Sequence, residues 1–165
     1  MSPDDVLSFW FQAGESRWSF KDAAFDGALS VRFRSALEAA RGGTHDGWAA
    51  TPRGALGLVI LLDQVSRNIN RGSPLAFAAD ARALRLARSV VAKGWHQALP
   101  PPLAQWFVMP FEHAEDLAEQ HRAVALFGTM GLPSMVRYAQ IHLDIIAQFG
   151  RFPHRNPVLG RRSTL

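Results

Sequence analysis

Three hydroxyl–proline pairs punctuate the chain. Ser2-Pro3, Thr51-Pro52 and Ser73-Pro74 each set a side-chain acceptor directly before a residue that has no N–H. At the start of a helix such a hydroxyl satisfies an orphan amide, and a proline behind it leaves none unpaired. Asp5, three residues after Ser2, completes the pattern of a capping box. No segment shows the period-two apolar alternation of a half-buried strand, and there is no clean repeat or low-complexity tract. The expected fold is all-α, built of helix pairs joined by short turns.

The helices follow from these starts and from apolar spacing. The first is expected over Pro3 to Ala13, with Leu7, Trp10 and Phe11 as its stripe. A second spans about Lys21 to Arg41, stopped by Gly42-Gly43, with Phe25, Leu29, Phe33, Ala36, Leu37 and Ala40 buried. A third spans Pro52 to about Ile69; Val59 and Ile60 favour strands, but no breaker interrupts the stretch. A fourth runs from Pro74 to Lys93, ended by Gly94. After the stiff Pro100-Pro101-Pro102 connector comes a short helix, Leu103 to Val108, broken by Met109-Pro110. Two more helices are expected, His113 to Thr129 and Pro133 to Phe149. The segment after Gly150 reads as an extended loop.

At 165 residues, 48% of them apolar, the chain suits one globular domain. It has no cysteine, which excludes disulfides and thiolate chemistry and fits a reducing cytoplasm. The acidic N-terminus is not a secretory signal, and the longest apolar run, Ala55 to Leu62, is too short to span a bilayer. A cytoplasmic protein without a membrane partner is expected. The net charge is +4, all of it attributable to Arg151, Arg155, Arg161 and Arg162 in a segment without acids. So local a cluster does not predict specific nucleic-acid binding.

Polar residues in apolar stripes mark the candidate site. Asp63, Gln64, Arg67, Asn68 and Arg71 occupy the second half of the third helix, with Asp63 continuing the stripe of Leu56, Val59 and Ile60. Asp63 and Arg67, four apart, meet on one face. One reading is a structural ion pair and a cap for the Asn70-Arg71-Gly72 turn; the other is a ligand pocket lined by Arg67 and Arg71. Asp80 lies between Phe77 and Leu84 and needs a cationic partner, with Arg67 and Arg71 the candidates. Glu112, Glu115 and Asp116 suit the first turn of the His113 helix through its dipole. His113 and Gln120 share a face there, and His142 sits on the last helix. The proline-fixed loop displays Arg151, His154, Arg155 and Asn156, either as anion-binding groups or as ties to Asp63, Asp80 or Glu115.

Motifs for common chemistries are missing. There is no Gly-x-Ser-x-Gly elbow, no Gly-x-Gly-x-x-Gly loop and no Gly-Lys-Ser/Thr loop. His-Glu-x-x-His and paired Glu-x-x-His spacings are also missing, so no metal and no cofactor are expected.

Three stretches together carry a resemblance. They are Leu61-Leu62-Asp63-Gln64-Val65-Ser66-Arg67-Asn68 with Arg71-Gly72, Met109-Pro110-Phe111-Glu112-His113-Ala114-Glu115-Asp116-Leu117 with Gln120, and Phe149-Gly150-Arg151-Phe152-Pro153-His154-Arg155-Asn156 with Leu159-Gly160-Arg161. With the opening Val6-Leu7-x-Phe9-Trp10-Phe11, the chain resembles the bacterial domain-of-unknown-function family 924 from about residue 6 to residue 164. The resemblance implies antiparallel helix pairs in a tetratricopeptide-like right-handed superhelix, and it implies no reaction. Ala114 stands where the family usually has Ser. The family also continues past Ser163-Thr164 into another helix, for which one of these residues would be the N-cap.

Two functions fit these readings. A tetratricopeptide-like module would use its arginines to hold a peptide carboxylate or a small anionic ligand. An enzyme would use Asp63, Glu115 or His113 as acid or base on a small anionic substrate. A long open groove favours the first, and a cavity with convergent carboxylate and histidine the second.

Overall fold

The computed structural model describes residues 1–18 and 20–163. The described residues form helices and turns without a strand. The long helices are α1 (Pro3–Ala13), α2 (Ala23–Arg41), α3 (residues 52–69) and α4 (Asp80–Ala92). After them come the single turn α5 (Met109–Glu112) and the final pair α6 (Leu117–Thr129) and α7 (Pro133–Phe149). None is long and apolar enough to cross a membrane. Ser163 is the last described residue, and Thr164, the other proposed cap, lies outside the described residues.

All three hydroxyl–proline pairs act as caps. Ser2 accepts from the Asp5 amide and Asp5 answers in a full capping box; Thr51 accepts from Gly54 N–H and Ser73 from Leu75 N–H. Helix α3 is the centre of the molecule. Residues 54–62 are all buried, so this stretch is apolar all round. It packs against α1, α2 and α4. Gly57 allows the close crossing with α1, since a Cβ there would lie 2.8 Å from Pro3 Cβ.

Trp10, Phe33, Leu37, Leu56, Ile60 and Phe107 belong to the larger core. Val108, Phe111, Ala123, Phe127 and Ala139 form a smaller one under α6 and α7. Burying each large side chain contributes roughly 1.5–3 kcal/mol. The backbone over residues 105–113 passes from one core to the other, and the candidate site lies at that seam.

Four local expectations change. Helix α3 is not α-helical throughout: Ile60–Val65 is π-helical, and Asp63 lies inside that segment. The Pro74 helix is only a 3-10 turn, Pro74–Ala76, and α4 begins afresh at Asp80 after a bend and turn over residues 77–79. Met109-Pro110 does not end a helix; proline sits in the first turn of α5, where its missing N–H costs nothing. The His113 helix starts instead at Leu117, because Asp116 caps it by accepting from Ala118 and Glu119 N–H. His113 and Glu115 therefore lie in the linker before α6, and the dipole argument does not apply to Glu115.

Candidate functional site

Asp63 is 1% exposed and saturated by its neighbours. Its Oδ1 lies 2.8 Å from His113 Nδ1 and accepts from Arg67 at 3.1 Å, while Oδ2 accepts from Gln64 Nε2 at 2.7 Å. Burial would raise its pKa, but His113, Arg67 and the hydrogen bonds outweigh it and lower it to about 2. Asp63 is thus a fixed carboxylate that orients the His113 ring.

Arg67 also forks onto Asp80, with bonds of 2.8 and 2.9 Å. Arg155 reaches the same carboxylate from the C-terminal loop at 3.3 Å and donates to the His113 carbonyl at 2.8 Å. Its guanidinium lies over the Phe77 and Phe152 rings. Glu115 accepts from Phe152 N–H at 2.8 Å and takes a fork from Arg161 at 2.6 and 2.9 Å. Burial would raise the Glu115 pKa, but the bonds from Arg161 and Phe152 win and hold it below the usual carboxylate range. Asn156 is buried and accepts from Arg161. The loop after Gly150 is thus packed rather than simply extended, with a 3-10 turn at Pro153–Arg155.

The structure separates other members of the expected set. Arg71 and Asn68 both bind Asp26 on α2, so Arg71 is not the partner of Asp80. Gln120 is fully buried and clamps the α5–α6 linker through the carbonyls of Glu112 and Ala114, each at 2.7 Å. It no longer shares a helix with His113. His154 is exposed, and Arg151 enters no ion pair among the described residues.

Sequence reasoning missed Glu112 as a site residue. It ends α5, is 2% exposed, and its Oε1 sits 3.0 Å from His142 Nδ1, whose proton is shared with the Tyr138 carbonyl. Burial pulls His142 down, but Glu112 and Tyr138 outweigh it, so its pKa lies above the ordinary imidazole value. The second oxygen of Glu112 is buried without a partner, as is the indole N–H of Trp106.

Two cavities flank this arrangement, and His113 lines both. One, of about 490 Å³, is bounded by Phe77, Asp80, Arg88, Glu115 and Arg155. The other, of about 550 Å³, is bounded by Phe11, Trp18, Trp106, Tyr138, Glu112 and His142, with Gln64 also in its wall. Trp18 and Trp106 meet edge to face at 5.0 Å, and Phe11 packs edge-on to Trp18 at 5.8 Å. No three His, Asp or Glu side chains converge into a metal-holding group among the described residues.

A family model for bacterial proteins of unknown function, DUF924, matches residues 6–165. The chain belongs to that family. A solved structure of a protein of unknown function from Agrobacterium tumefaciens is 41% identical, with a TM-score of 0.94 over 98% of this chain and 92% of that one. No curated protein matches. The DUF924 assignment fits the three stretches that carried the resemblance, since Asp63, His113 and Arg155 now form one connected set.

Proposed function

We propose that this protein is an enzyme acting on a small molecule held in the 550 Å³ cavity, with His113 as general base. The observation that carries this is the 2.8 Å contact between His113 Nδ1 and the buried Asp63 carboxylate at the cavity wall. A carboxylate in that position fixes the proton on Nδ1 and leaves Nε2 with a lone pair for proton abstraction. Asp63 is then a positioning residue, already spent on His113, Arg67 and Gln64. Glu115 is closed on Arg161 and falls outside the cavity, so the acid–base role narrows to His113.

The anion-binding alternative has less support. Of the arginines that would receive an anion, Arg67, Arg71 and Arg155 are already paired with carboxylates, and Arg151 enters no ion pair among the described residues. A cavity of a few hundred cubic ångströms with convergent histidine and carboxylate suits a small molecule better than a peptide strand.

The test is a bacterial small-molecule extract incubated with wild type and with His113→Gln, followed by mass spectrometry. The proposal expects at least one species consumed by wild type and spared by the variant. An extract changed by neither protein, or equally by both, contradicts it.

A further inference from the structure

The two cavities differ in their charged groups as well as in shape: arginines and acids together line the 490 Å³ cavity. None of the described residues around the 550 Å³ cavity is Lys or Arg, and its charged groups besides the imidazoles are Glu15 and Glu112. Glu15 is exposed at the rim, whereas the Glu112 side chain is 3% exposed. Leaving one oxygen of a buried carboxylate without a donor is costly, and natural sequences rarely keep such a group unless something else satisfies it. His142 covers Oε1 only.

Aromatic rings supply part of the remaining wall, beside Leu103, Met109 and Met135. Phe11, Trp18, Trp106 and Tyr138 present π systems, and the negative face of such a ring attracts a cation most strongly where water is excluded. Trp106 adds a second unpartnered group, a buried donor. Two of the four arginines that give the chain its positive charge, Arg155 and Arg161, are held by Asp80 and Glu115 away from this cavity.

We infer that the ligand of this cavity is an organic cation: a small amine or quaternary ammonium compound whose positive group lies against Glu112 and the tryptophan rings. An acceptor oxygen on the same molecule would satisfy the Trp106 indole N–H. This rests on the cavity being the ligand site, and it replaces the anionic class with the opposite charge. An ammonium group beside His113 also suits abstraction by the imidazole of a proton from a carbon or oxygen near that group, since the cation stabilises the negative charge that develops.

The experiment uses three probes of matched size: benzylamine (cationic at pH 7), benzyl alcohol (neutral) and benzoate (anionic). Each is titrated into wild type and Glu112→Gln, following indole fluorescence and the Trp106 indole N–H resonance. Expected are a preference for benzylamine over benzyl alcohol of roughly tenfold in wild type and loss of that preference in Glu112→Gln. Should the variant fold poorly, the wild-type order of the three probes still decides. Equal binding of benzylamine and benzyl alcohol would overturn the charge assignment while leaving the cavity as a ligand site. Preference for benzoate would overturn it in favour of the arginine side. No response of the Trp106 resonance to any probe would contradict both the inference and the cavity reading beneath it.

Discussion

On one side of His113, arginines and carboxylates pair into a lattice; on the other, an aromatic chamber is walled by residues that carry buried polar atoms without a partner. Asp80 receives Arg67 and Arg155, Glu115 receives Arg161, and Arg88 is matched by Glu119. Arg155 Nε and Glu119 Oε2 are lattice atoms buried without a hydrogen-bond partner. Across the ring, Glu112 Oε2 and Trp106 Nε1 are both buried without a partner, on residues that line the chamber. Saturated networks specify a fold, because each member fixes the others. Groups left unsatisfied in a cavity cost stability and are kept where a ligand meets them. The abundance of arginine points to the wrong side of His113, and the incomplete hydrogen bonding points to the other.

Removing a member of the closed side gives the largest effect. Asp63→Ala leaves Arg67 and His113 without their shared acceptor and is expected to lower unfolding free energy by about 3–4 kcal/mol. A denaturation midpoint unchanged from wild type would show that the lattice does not hold the fold. Arg161→Ala should cost less, about 1–2 kcal/mol, because its pair with Glu115 is nearly a quarter exposed. Its sharper sign is local: residues 150–162 should become cleavable by protease while the core remains protected. Uniform protection would mean the loop is held by Phe152 and Arg155 alone.

The pH response separates the two histidines that face Phe152. His142 has its pKa raised in the fold, so its protonated form contributes stability that is fully present below the ordinary value of 6.5 and is lost as pH rises through the raised value. The destabilisation caused by His142→Asn should therefore shrink between pH 6 and pH 9. His154, exposed as a residue, is opposite in sign: partial desolvation of its ring and then Arg155 lower its pKa, so its contribution is present above 6.5 and lost on acidification. His154→Asn should thus be relatively better tolerated at low pH. A gap that grows with pH for His142 would break the assignment of Glu112 as its partner.

The sequence revealed the helix starts and the partners but not the chamber. Ser2, Thr51 and Ser73 were legible because a cap needs only neighbours in the chain. The return of the C-terminal loop to Asp80 and His113 was legible because excess arginines and stranded carboxylates must meet, although Arg155 and Asp80 are 75 residues apart. The π-helical segment at Asp63 left no mark, since no residue type demands it. Glu115 was misread as a helix-start acid because Asp116, a better cap, stands beside it. The chamber draws on residues from Phe11 to His142, and none of its aromatic residues is unusual until packing shows that Glu112 Oε2 lacks a donor.

The smallest expected change is the most decisive. Glu112→Gln keeps an acceptor for His142 and removes an unsatisfied buried charge. If Glu112 is kept for a ligand rather than for the fold, urea denaturation of this variant will give an unfolding free energy within ~1 kcal/mol of wild type, or above it. A loss of more than ~2 kcal/mol would make Glu112 a structural counter-ion like Asp63 and would contradict the division between a closed lattice and an open site.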